Sequence, residues 1–145
     1  MAKLSDFSRN QDRMREGETV EVGPIGSTFE ITTRGFTPRY RDALHDLKIA
    51  AARRLNRGQK PGGLSYNAEN LPPSEDDRAQ GQAIADHCVL GVNGLQHDDG
   101  QDVTLDEFRA MLASGEQPML IALAISAAAR VGDDRAREHE EAVGN

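Results

Sequence analysis

The chain has 145 residues and a mass of 15.8 kDa, room for one core with extensions. Only 37% of the residues are apolar and Trp is absent. The rings are limited to Phe7, Phe29, Phe36, Phe108, Tyr40 and Tyr66, few for a protein that stacks nucleobases. The net charge of −7 divides unevenly, with +4 on residues 1–60 and −11 on residues 61–145. Such a chain repels a polyanion overall, while its basic half is able to touch a phosphate or an acidic protein surface.

Cys88 is the single cysteine, which excludes an internal disulfide framework and a thiolate metal cluster. Met1–Gly17 is polar and charged, without the apolar stretch of a signal peptide. The longest apolar run, Met119–Ala129, is interrupted by Ser126 and falls short of the roughly 20 residues that span a bilayer. A cytoplasmic protein with no membrane partner is expected.

Residues 1–16 are dense in charge and poor in anchors, and read as a flexible arm or a short helix that orders on contact. A single domain is expected over 17–145. Glu18–Val22 alternates apolar and polar residues, Gly23–Gly26 is a turn, and Ser27–Arg34 alternates again with Phe29 and Ile31 on one face. Thr37 is the expected cap of a helix with Pro38 at its first position. Tyr40, Leu44, Leu47, Ala51 and Leu55 form its apolar stripe, and Arg39, Arg41, Lys48, Arg53, Arg54 and Arg57 its basic face. Residues 58–73, rich in Gly, Pro and Asn, form a long loop or linker.

Ser74 is expected to cap a second helix that opens with Glu75, Asp76 and Asp77, acids suited to the positive end of the helix dipole. Its stripe is Ala79, Ala83, Ile84, His87 and Cys88, continuing to Leu90 or Val92, with Gly91 and Gly94 as breakers. His97–Gly100 is a turn. Thr104 and Glu107 are spaced as a capping box, flanked by Val103 and Phe108 as a hydrophobic staple. That helix ends near Ala113. Pro118 opens a last helix that is apolar nearly all round to Val131 and turns charged from Gly132. Together the elements predict an α+β fold: an N-terminal β-hairpin or small antiparallel sheet packed on a bundle of about four α-helices.

Candidate chemistry is thin. Asp98–Phe108 looks like a calcium loop until its ligands are counted. With Gly100 at the sixth position the first ligand is Leu95, the third His97 and the twelfth Asp106; with Glu107 twelfth, the sixth is Gln101 rather than Gly. His45, His87, His97 and His139 have no partner at metal-ligand spacing. His87 and Cys88 are adjacent, so on a helix they diverge by about 100°. No nucleophile elbow, phosphate loop or dinucleotide fingerprint occurs. Neither enzymatic activity nor a cofactor is expected. The basic helix face, lacking a helix-turn-helix partner, reads as solvated, and no nucleic-acid partner is expected. The last helix is different, because an element apolar on all sides must be covered by its own fold or by a partner. It is either the central core helix or a docking surface, with Leu120, Ile121, Leu123, Ala124, Ile125 and Ala128 as the partner-binding candidates.

The order of motifs carries a family resemblance. An amphipathic helix leads into Val89–Leu95; Asp98-Asp99-Gly100 follows, then Val103-Thr104 and Glu107-Phe108 opening a short helix. An Ala-rich helix and an Arg/Glu-rich tail near Gly144-Asn145 complete the order. Upstream lie a strand pair ending near Arg34–Thr37 and a basic helix containing Ala51–Arg54. In this layout, over about residues 17–145, the chain resembles the tail assembly chaperones of long-tailed bacteriophages and prophages. Its 58–73 loop is longer and richer in Gly and Pro than the family pattern. The resemblance implies binding of the tape measure protein and of tail tube subunits during tail assembly, and absence from the mature virion. It also implies that this is the short form beside a frameshifted longer form of itself. Two further readings stand beside it: a minor tail completion or connector protein of the virion, and a small calcium-responsive regulator.

Overall fold

The computed structural model describes residues 1–60 and 62–133. The charged tail and His139 lie outside the described residues. After a single 3-10 turn at Leu4–Asp6 come α1 (Gln11–Glu16), β1 (Glu18–Val22), β2 (Phe29–Thr33), α2 (Pro38–Arg57), α3 (Pro73–His87), β3 (Val89–Asn93), α4 (Leu105–Ser114) and α5 (Pro118–Arg130). The fold is α+β, with five α-helices and one antiparallel sheet in the order β1-β2-β3 among the described residues.

The hairpin forms where the alternation places it, with Val20 opposite Ile31 and Val22 opposite Phe29. These four side chains are buried, while Thr19, Glu21 and Glu30 face water. Alternation of this kind covers one sheet face and wets the other. The sheet is not purely N-terminal, however, because β3 arrives from the far side of α3 and pairs with β2. Leu90 and Val92 therefore belong to this strand and do not extend the stripe of the second helix. The register shifts between Thr32 and Thr33, which face Gly91 and Val89 and leave Leu90 as an extra residue. A bulge of this kind bends a strand locally. Helix periodicity at Cys88–Val92 gives way to pairing, because β2 offers an unpaired edge to the β-branched Val89 and Val92.

Helix starts follow the caps in two of three cases. Thr37 Oγ1 accepts from the Tyr40 amide at 3.4 Å, and Thr104 Oγ1 accepts from the Glu107 amide at 3.2 Å. Ser74 is not a cap: α3 begins at Pro73 with Pro72 as N-cap, and Ser74 lies inside the first turn. The cause is the Pro-Pro pair. A residue before proline is held extended, and Pro73 suits the first helical position because an amide there needs no partner.

The N-terminal arm is docked from Arg9 onward. The Asn10 amide donates to Gly132 O at 3.0 Å, the Gly35 amide to Met14 O at 2.9 Å, and Arg13 pairs with Glu18. Residues 9–16 thus belong to the domain, whereas Leu4 and Phe7 ahead of them are exposed. The 58–73 loop is organised by asparagines. Asn56 bonds the Tyr66 backbone in both directions, through its Nδ2 to Tyr66 O (2.9 Å) and its Oδ1 from the Tyr66 amide (2.8 Å). Asn67 Oδ1 takes the amides of Glu69 and Asn70. Side-chain amides of this kind mimic backbone turns.

The core gathers Ile31 from the sheet, Ala83 and Ile84 from α3, Phe108 and Leu112 from α4, and Ala124 and Ala127 from α5. Phe29 and Phe108 meet edge to face, with centroids 6.2 Å apart. α3 and α4 touch backbone to backbone at Gly81. A Cβ there would lie 1.8 Å from Leu112 O, so only glycine fits this crossing. Gly115, at φ +73°, ends α4 in the left-handed region. The chain then bends by 110° into α5, which packs on β1, β2, α3 and α4.

Candidate protein-binding surface

The six docking candidates on α5 separate by face. Ile121, Ala124 and Ala128 point into the core together with Ala127, at spacings of three and four residues. The domain itself covers these three, because α5 lies across the buried face of the sheet. Leu120, Leu123 and Ile125 are half-buried at the margins of that contact. The outward stripe is instead Met119, Ala122 and Ser126, again at helical spacing, with Met119 73% exposed. This stripe carries no charge before Arg130, whose Nη1 donates to Glu21 O of β1 at 3.0 Å.

A second exposed apolar element begins at the other end of this helix. Arg9 donates to Ala129 O and pairs with Asp133 at 3.6 Å, so the N-terminal segment departs from the C-terminal end of α5. Met1, Leu4 and Phe7 are all exposed on this segment, at three-residue spacing. The signal for it was present in the sequence as an apolar residue every third position within a charged arm. The high charge density of residues 1–16 masks it.

Two residues of the basic face of α2 are answered from within. Lys48 pairs with Asp76 at 3.1 Å and Arg54 with Glu75, so the acidic first turn of α3 faces the neighbouring basic helix. Pairs this exposed contribute little stability and mainly set which surfaces meet.

The Asp98–Phe108 segment forms a small hairpin turn. The Gly100 amide donates to His97 O (2.9 Å), the His97 amide to Gln101 O (2.7 Å) and the Gln101 amide to Asp99 Oδ1 (2.9 Å), while Val103 returns to Leu95 O. The capping box closes in both directions, since the Thr104 amide also donates to Glu107 Oε1 at 3.1 Å. Val103 and Phe108 are buried beside it as the staple. His97 adds an interaction that spacing alone does not reveal, with Nε2 lying 2.8 Å from Glu107 Oε2. The Thr104 backbone bond, then His97 and the Thr104 hydroxyl, hold the Glu107 carboxyl below its ordinary range. Among the described residues no three His, Cys, Asp or Glu side chains converge as metal ligands.

Comparison with known protein families, curated proteins and solved structures finds no match.

Cys88 is buried at the end of α3, with Sγ 3.6 Å from Gly35 O. Burial pushes its thiol up to about 12, although Arg34 pulls the other way. A thiol that stays protonated is a packing group rather than a nucleophile. His87 leaves the helix on a different side and lines a cleft beside α1. Arg109, half-buried on α4, ties that helix to the sheet by donating from Nη2 to Val89 O at 2.7 Å.

Proposed function

We propose that this chain is a phage tail assembly chaperone, a cytoplasmic binding protein that holds the tape measure protein, and tail tube subunits with it, while the tail is built. The observation that carries the reading is the co-linear order of sequence motifs from the strand pair through Asp98–Phe108 to the Ala-rich helix. Two features of the surface support it. The wet stripe of α5 is uncharged and made of small side chains beside Met119, a shape that lets a partner helix come close. Met1, Leu4 and Phe7 add exposed apolar area on the segment that leaves the end of the same helix. An aggregation-prone helical client offers the matching chemistry, apolar helix faces that gain by leaving water. The acidic excess of residues 61–145 keeps the complex soluble by self-repulsion.

The proposal differs from a virion component in one measurable respect. Tails assembled with this protein present are purified and digested for mass spectrometry. The chaperone reading expects its peptides in the assembly lysate and not in the finished particle. Its recovery in particles at a fixed ratio to other tail proteins would replace the proposal with a connector or completion role.

A further inference from the structure

The cleft beside α1 has a composition that neither the core nor the apolar stripe of α5 requires. Its volume is about 890 Å³, and its walls bring together three elements: α1 with Arg15, the β2–α2 connection with Arg34, and the first turn of α2 with Thr37 and Arg39. His87 closes it from the end of α3, and Asp86 is its one acidic wall residue.

The three guanidinium groups are held to different degrees. Arg34 is fixed by its Nε, which donates to Arg15 O at 2.8 Å, and by its amide, which donates to Cys88 O at 2.9 Å. Its terminal nitrogens have no partner among the described residues. Arg39 makes no ion pair among them either, and Arg15 is paired only with Asp12 on the exposed side of α1. Farther along α2, Lys48 at mid-helix and Arg54 are matched by α3 carboxylates. Arg34 and Arg39 are therefore left without a carboxylate partner among the described residues, three arginines face one acidic wall residue, and the α2 N-terminus adds positive potential because its first turn holds no acidic residue.

We propose that this cleft binds a carboxylate-bearing segment of a partner protein, a short acidic peptide gripped by Arg15, Arg34 and Arg39. Guanidinium forks match planar carboxylates two bonds at a time. A single small anion is a poor fit for three arginines spread around 890 Å³, whereas several peptide side chains fill that space. A nucleic acid is disfavoured because its backbone would run out of the cleft across a chain of net charge −7. The inference is independent of the tail-assembly reading, since no residue of the exposed α5 stripe lines this cleft.

The test is a titration of the full chain with a hexaglutamate peptide, with inorganic phosphate and a short DNA duplex as separate arms. Arginine Nε–Hε signals of the wild-type protein report where binding occurs, whatever the folding of any variant. Hexaglutamate is expected to move the Arg15, Arg34 and Arg39 signals. Arg39→Ala and Arg15→Ala each weaken binding by about tenfold, whereas Arg41→Ala, on the same helix outside the cleft, leaves it unchanged. Binding also weakens as salt rises. The proposal is overturned if those three signals stay still, or if Arg39→Ala and Arg15→Ala bind as wild type. It is equally overturned if phosphate binds as tightly as the peptide, which marks a small-anion site, or if the duplex binds more tightly, which marks a nucleic-acid surface.

Discussion

Replacing Gly81 by Ala is expected to destabilise the domain severely, although the same change in an open helix gains about 1 kcal/mol. The new Cβ would sit 1.8 Å from Leu112 O, 2.8 Å from Leu112 C and 3.1 Å from Ile121 Cδ1. Carbon and carbonyl oxygen rest at about 3.3 Å or more, so α3 and α4 must part by about 1.5 Å. The obstacle is backbone on both sides, and no rotamer change relieves it. Parting the helices also loosens Leu112 and Phe108, the largest fully buried side chains of α4. Overpacking costs about 1–3 kcal/mol when side chains can yield, and a main-chain clash belongs at or above the top of that range. A loss of about 3 kcal/mol lowers the melting temperature of a domain this size by roughly 10 °C. Circular dichroism melts and urea titrations of the two proteins measure it. An unchanged or raised midpoint for Gly81→Ala would show that the crossing is not backbone-limited, and the placement of α4 on α3 would be wrong.

Three further outcomes follow from other parts of the molecule. The Glu107 carboxyl is held low by Thr104 and His97, so its cap stabilises above the ordinary carboxylate range and is lost as pH falls through its depressed value. Urea midpoints from pH 7 to pH 3 should therefore fall less steeply at the acid end for Glu107→Gln than for wild type; parallel curves would remove Glu107 as a source of acid sensitivity. The Cys88 thiol, raised to about 12, should resist aromatic disulfide reagents at pH 8 in the folded protein and react at once in denaturant. Rapid reaction of the native protein would contradict its burial. Its sign in linkage is opposite to that of Glu107: the contribution is complete below the unfolded thiol's range and disappears as pH rises toward 12. On α5, Ala124→Asp buries an unpaired charge and should cost more than 3 kcal/mol, while Met119→Asp should change the urea midpoint little. Equal losses at the two positions would mean that the two faces of this helix are not distinguished as described.

What the sequence makes legible here is local. The hairpin alternation, the Thr37 cap and the reciprocal Thr104–Glu107 box depend on neighbours a few residues away, and each forms as spaced. The third strand was hidden because Val89–Asn93 is a strand only by pairing with β2, and its Cys88 approach continues a helical stripe without interruption. Ser74 misled because a good capping residue stands two positions after Pro72, whose pairing with Pro73 starts the helix first. Nothing in the local sequence marks Gly81, and only the approach of α4 gives it a purpose. On α5 the apolar run is so continuous that periodicity assigns no inside. The tertiary fold divides it, placing Ile121, Ala124 and Ala128 within and Met119, Ala122 and Ser126 without. The arginine cleft was not legible either, since Arg15, Arg34 and Arg39 lie on three elements brought together by the docking of α1.

The most direct test of the chaperone account is coexpression with a phage tape measure protein, followed by affinity capture of the wild-type chain and of Met119→Asp/Phe7→Asp. Wild type is expected to keep the client soluble and to retain it on the column. The double variant, folded by its melting curve, should lose it to the pellet. Failure of the folded wild type to hold the tape measure protein, or equal capture by the double variant, would contradict the account: the first outcome removes the client and the second removes the surface.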